Sequence, residues 1–156
     1  MLSKKEISTF LKLSKKVKNP KQGLPQGVFD AISQLVPFPA CEIVVFNSKG
    51  EMLLTWRQDQ WWNGWHIPGG LMRFKETFQE RLNNTAKKEL GAGIKSFKFL
   101  FVENYYTELR GHSVSCVFLC KLTRPPKQGK FFKTMPKDLI KQHKIVWKKI
   151  HKHKIV

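Results

Sequence analysis

Gly69-Gly70-Leu71-Met72-Arg73-Phe74-Lys75-Glu76 leads into a 14-residue amphipathic segment that closes in Lys88-Glu89-Leu90-Gly91. A glycine turn of this kind brings backbone amides and carbonyls close to a polyanion, and the helix behind it aims a carboxylate at the same place. On a wheel of about 100° per residue, Phe78, Leu82, Ala86 and Leu90 sweep an arc of about 120°, the core-facing stripe of an amphipathic helix. Glu89 falls at about 20°, inside that stripe, with Thr85 at its edge. Burying an unpaired charge is expensive, so an inward glutamate calls for a metal ion or a close partner. Glu76 is placed in the first turn, where it either caps orphan amides or braces the site.

Working outward, the runs Cys41-Glu42-Ile43-Val44-Val45-Phe46 and Met52-Leu53-Leu54-Thr55-Trp56-Arg57 read as two strands joined by a glycine turn at Asn47 to Gly50, and as antiparallel neighbours. Beyond the central helix, Phe97 to about Leu109 and Ser113 to Leu122 are further strands, and Thr123 to Lys133 reads as a basic loop. Ser3 and Glu6 have capping-box spacing for a helix to about Val17, and a second short helix is expected from Val28 to Leu35. Leu139, Ile140, His143 and Trp147 recur at helical intervals, predicting a last helix that frays from Ile150. The order predicts an α/β fold, a mixed central sheet between helices in an alpha-beta-alpha sandwich. An N-terminal helical extension (1–25), one domain (26–147) and a basic C-terminal tail (148–156) follow.

At 156 residues and 41% hydrophobic content, the chain suffices for one domain with a real core. No apolar run reaches membrane-spanning length and no signal peptide is evident, so a cytoplasmic location without a membrane partner is expected. Cys41, Cys116 and Cys120 match no metal or redox spacing and read as reduced core thiols. The net charge of +18 is concentrated late, with 12 Lys or Arg against the single acid Asp138 from Lys121 onward. Such a field attracts nucleotides, nucleic acid or anionic surfaces alike. Nucleic acid is possible but not favoured, because the lysines are not interleaved with an aromatic platform.

The glycine turn and helix resemble the box of the Nudix hydrolases: Gly70, Glu76, Ala86, Glu89, Gly91 and Ala92 stand in register, preceded by Trp65-His66-Ile67-Pro68-Gly69. Asn84, Thr85 and Lys88 depart from the box, standing where an arginine and two glutamates belong. The branch most resembled is the GDP-mannose mannosyl hydrolase type, which tolerates the loss of two box glutamates. The resemblance implies a nucleoside diphosphate derivative as substrate, a nucleotide sugar among the candidates, and Mg²⁺, or Mn²⁺ in its place, held by Glu89 and the backbone around Gly69 and Gly70, with Glu76 in support. In the branch most resembled a late-loop histidine is the general base, which makes His143 its candidate counterpart and His112, in the turn before a strand, the second, each otherwise a solvated or helix-facing histidine; the resemblance also makes a homodimer possible. Arg57 is a candidate phosphate contact or a solvated strand-end charge. Trp61 and Trp62 are a candidate substrate platform or loop packing, and Lys88 is the cation beside the phosphates. Glu103 and Glu108 are either distal metal ligands or cross-strand ion-pair partners. The box departures also leave open a catalytically weak protein that binds a phosphorylated ligand or RNA.

Overall fold

Period-two alternation decides the layers. In the computed structural model, which describes residues 1–108 and 111–152, strand β1 (Phe38–Val44) and the Val45 that follows it alternate, so that Cys41, Ile43 and Val45 join one core layer and Val44 the other. The chain begins with helices α1 (Lys4–Ser14) and α2 (Gln26–Ser33), separated by a short 3-10 turn at Pro20–Gln22. After β1 come β2 (Met52–Gln58), β3 (Asn63–His66), β4 (Gly69–Leu71), α3 (Phe78–Leu90), β5 (Ile94–Glu108), β6 (Gly111–Leu122), β7 (Lys130–Phe132) and α4 (His143–Lys152). One sheet runs β4-β1-β6-β5 and the other β3-β2-β7. The β1–β6 pair is parallel and the remaining pairs are antiparallel.

Leu82, Ala86 and Leu90 of α3 pack with Cys41, Ile43, Val45, Phe118 and Cys120. Val146, Trp147 and Ile150 of α4 pack with Val44, Met52, Leu54 and Val117. This is the expected α/β sandwich with a mixed sheet. Gly91 ends α3 in the left-handed region at φ 63°, a conformation other residues adopt at a steric cost. The three cysteines are free, with Cys41 and Cys120 buried.

Several expectations need correction. The strands β1 and β2 are not a hairpin: both edges of β1 are taken, by β6 and β4, and β2 meets its end only at a Phe46 to Met52 bridge and a 2.9 Å bond from Leu53 N–H to the Val45 carbonyl. Within the expected basic loop, β7 pairs with β2. Phe78 is 43% exposed, its ring lying 5.3 Å from that of Phe118, so the buried stripe of α3 starts at Leu82. The first two helices end earlier than expected, at Ser14 and Ser33. Leu139 and Ile140 precede α4, in a segment bonded to β3 through Trp65 N–H to Asp138 O and Ile140 N–H to Trp65 O, both 2.9 Å. Ile150 is fully buried, so the core reaches beyond the position where a tail was expected to begin. His153 lies outside the described residues.

Candidate active site

Strand β4 carries the glycine turn to the edge of the first sheet. Gly69 stands opposite Glu42 and Gly70 opposite Cys41. A Cβ at Gly69 would sit 2.9 Å from the Cys41 carbonyl oxygen, a separation that real side chains do not tolerate. Ile43 N–H bonds to Pro68 O and Met72 N–H to Pro39 O, both at 2.8 Å. Antiparallel alternation therefore directs the Gly70 backbone groups to β1 and turns those of Gly69 away from it. Of the two expected carbonyl ligands, Gly69 is the better placed.

Glu76 departs from its expected position. Thr77 is the N-cap of α3 and forms the capping box with Glu80, so Glu76 precedes the helix. Its carboxylate accepts from Arg73 N–H at 2.9 Å and from the Asn84 amide at 3.0 Å, with Arg81 at 3.6 Å. These partners make it a brace of the turn, and it is not part of the cleft wall.

Glu89, by contrast, reaches a cleft of about 760 Å³. The Thr55 hydroxyl donates to its Oε2 at 3.4 Å, the His66 Nε2 lies at the same distance, and the Gly69 amide also favours its charged form. Burial nonetheless pushes its carboxyl up to about 7, against the pull of Arg57 and Lys88. Thr55 and His66 are cross-strand partners in β2 and β3, joined by a 2.9 Å bond between Oγ1 and Nε2. Burial, with Arg57 nearby, pushes His66 down to about 4 and keeps it neutral at physiological pH.

Arg57 donates through Nε to Asp59 at 2.7 Å, and both side chains remain a third exposed. Asp59 also accepts the Trp61 and Trp62 amides at 2.8 and 2.9 Å, which shapes the loop. Arg57 and Trp62 line the cleft, whereas Trp61 projects outside it, so the expected aromatic pair is split. Lys88 borders both the cleft and a smaller hollow that reaches Glu89 beside Trp56 and Gln128.

Both candidate histidines line the cleft, with different hydrogen bonds. His143 opens α4, and its Nδ1 accepts the Ile67 N–H at 2.7 Å. Burial pushes it down to about 3, so the neutral ring carries its hydrogen on Nε2. In this arrangement His143 offers a donor to the cleft. His112 Nε2 lies 2.6 Å from the Asn104 side-chain Oδ1, which leaves the lone pair of the neutral ring on Nδ1. Glu103 is paired with Lys149 at 2.6 Å, and the Glu108 side chain lies outside the described residues.

No group of three His, Cys, Asp or Glu side chains suited to a metal ion occurs among the described residues. Gln142, beside His143, supplies a different donor: its Oε1 is buried without a hydrogen-bond partner and the residue lines the cleft. One carboxylate with amide and backbone oxygens is a donor set that a hard divalent cation accepts. Sequence reasoning alone does not single out Thr55, His66 or Gln142. The available signal is a polar residue, Thr55, at an inward position that continues the apolar run Met52-Leu53-Leu54.

Solved structures share this architecture. A MutT NUDIX hydrolase from Burkholderia pseudomallei superposes with a TM-score of 0.65 at 19% identity, over 74% of this chain and 98% of that one. The MutT protein from Methanosarcina mazei Go1 gives 0.62 at 18%, over 76% and 96%. The NUDIX domain of Shewanella oneidensis NrtR, solved with ADP ribose, gives 0.58 at 13%, over 78% and 90%. Comparison with curated protein sequences gives no match. The sequence pattern of the NUDIX domain runs through residues 36–150, from the start of the first sheet to the buried turn of α4, and the chain therefore belongs to the NUDIX domain family.

Proposed function

We propose that the cleft hydrolyses a nucleoside diphosphate joined to a second group, in particular a nucleotide sugar, with Mg²⁺ as cofactor. The observation that carries this reading is Glu89, a mostly buried carboxylate that reaches the cleft beside the Gly69 backbone, Thr55 and His66. Mg²⁺ held by Glu89, the Gly69 carbonyl and Gln142 Oε1 would supply positive charge for the diphosphate. Arg57 and Lys88 flank the same carboxylate and offer donors to phosphate oxygens. Trp62 lines the cleft, and the Nε2 hydrogen of His143 is available to an anionic oxygen. The ADP ribose bound by the NrtR domain is itself a nucleoside diphosphate joined to a sugar, and the resemblance of the glycine turn and helix to the box of GDP-mannose mannosyl hydrolases favours the same substrate class.

The test is hydrolysis of GDP-, ADP- and UDP-sugars, dinucleoside polyphosphates and nucleoside triphosphates, with and without Mg²⁺. Products must be resolved well enough to separate nucleoside diphosphate from monophosphate. Metal-dependent turnover lost in Glu89→Gln supports the reading, and silence across the panel from folded protein refutes it.

A second reading, ligand or RNA binding without turnover, draws on the net charge of +18 and on Lys88 at the cleft. Binding of that kind weakens steeply with salt and ignores Mg²⁺. A substrate complex built on Glu89 requires the ion.

A further inference from the structure

The helix α1 folds without packing on the domain. Its order comes from its own capping box: Ser3 N–H donates to the Glu6 carboxylate at 2.7 Å and Glu6 N–H to Ser3 Oγ at 3.3 Å. No residue of the helix is buried. Ile7, Phe10 and Leu11 nevertheless share one face, within an arc of about 100°, and are 46%, 56% and 53% exposed. Lys4 borders this face, and Lys5 and Lys12 lie opposite. Through residue 29 the chain carries seven lysines and one acid, Glu6, whose carboxylate is engaged in the cap.

We propose that α1 is an interfacial anchor, laying Ile7, Phe10 and Leu11 into the surface of an anionic lipid bilayer while its lysines meet the headgroups. An apolar face gains nothing from nucleic-acid phosphates, and a second copy would bring two chains of +18 together at lysine-rich helices. An anionic bilayer offers an apolar boundary and a negative potential in one place. At 11 residues the helix is about 16 Å long, far short of a hydrocarbon core of about 30 Å. It therefore lies on the surface, and no helix among the described residues is long and apolar enough to cross a membrane. The expectation of no membrane partner rested on spanning length and the lack of a signal peptide, neither of which bears on a helix lying in the interface. The connection to the domain is short: the Arg73 guanidinium bonds the carbonyls of Lys21 and Gln22, and Pro20 and Gly23 belong to the cleft wall. An anchored α1 thus keeps the cleft near the lipid surface.

The experiment is co-sedimentation of the full chain with vesicles of phosphatidylcholine and phosphatidylglycerol in equal parts, against vesicles of phosphatidylcholine alone. The chain is expected to sediment with the anionic vesicles only. F10S/L11S should lower that partitioning by about 10-fold or more with an unchanged melting temperature, since neither side chain is buried. K4Q/K5Q/K12Q should weaken it too, most clearly at low salt. Failure of the chain to sediment overturns the proposal, as does undiminished binding by F10S/L11S, which would assign the effect to charge alone. A dimer in sedimentation velocity that F10S/L11S dissolves, with vesicles ignored, overturns it in favour of self-association.

Discussion

The two faces of the β4-β1-β6-β5 sheet are built by the same strands and do different work. Toward α3, β1 and β6 present Cys41, Ile43, Phe118 and Cys120, a dry apolar layer closed by Leu82, Ala86 and Leu90. Toward α4 the same strands present Val44 and Val117, then Glu42 and Ser115, which line the cleft together with His143 and Gln142. One face is apolar where α3 covers it, and the other turns polar where the cleft begins. A sheet can thus be read for function by asking where buried alternation stops being apolar.

The contrast is open to direct attack. Leu82→Ala should cost about 2–5 kcal/mol, because it opens a cavity in the layer beneath α3. Denaturant unfolding measures this, and a loss under about 1 kcal/mol would mean that the layer is loosely packed. Glu89→Gln should do the reverse: turnover on any substrate found in the panel falls by at least about 100-fold, while the melting temperature holds, since an amide is less costly to bury than a charge. Full activity in this variant would remove Glu89 from the chemistry.

Titration gives a finer test of the polar face. His66 and His143 are held below their ordinary 6.5, so the stability they contribute is complete above that pH and is lost as acid drives the pH toward about 4 and 3. Glu89 runs the other way: its folded value of about 7 lies above 4.5, so the stability of its protonated form is lost as pH rises from about 4.5 through 7. Between about pH 5 and 6.5 the two effects oppose each other. Melting temperatures of Glu89→Gln should accordingly climb more steeply with pH than those of the parent chain, and an identical slope would show that the carboxylate is not buried in solution. The smallest effect is expected at Ser115, whose hydroxyl is fully buried without a hydrogen-bond partner. Ser115→Ala should shift stability by less than about 1 kcal/mol in either direction, and a rise in KM without a fall in stability would place that hydroxyl against the substrate.

Much of the apolar face is legible from sequence, because Leu82, Ala86 and Leu90 recur with the helical period and the strand runs are continuous. The same wheel places Glu89 inward. It misplaces Phe78, since a helical angle says nothing about where the sheet beneath it ends. Adjacency along the chain suggests a hairpin of β1 and β2, whereas the long partner of β1 is β6, parallel and about 75 residues later. No local signal encodes such a pairing. The surroundings of His143 and Glu76 escape the sequence for a related reason: a hydrogen bond from Ile67 and a bracket of Arg73, Arg81 and Asn84 are facts of tertiary neighbourhood. Gln142 escapes notice because an amide has no distinguishing spacing until α4 brings it to the cleft.

The anchoring of α4 has a genetic consequence. A nonsense codon at position 148 deletes nine residues, and the described ones among them contribute nothing to the cleft wall. It nevertheless removes the buried Ile150, and with it part of the packing that fixes the helix whose first turn begins at His143. Such an allele should behave as a loss of function rather than as a trimmed wild type.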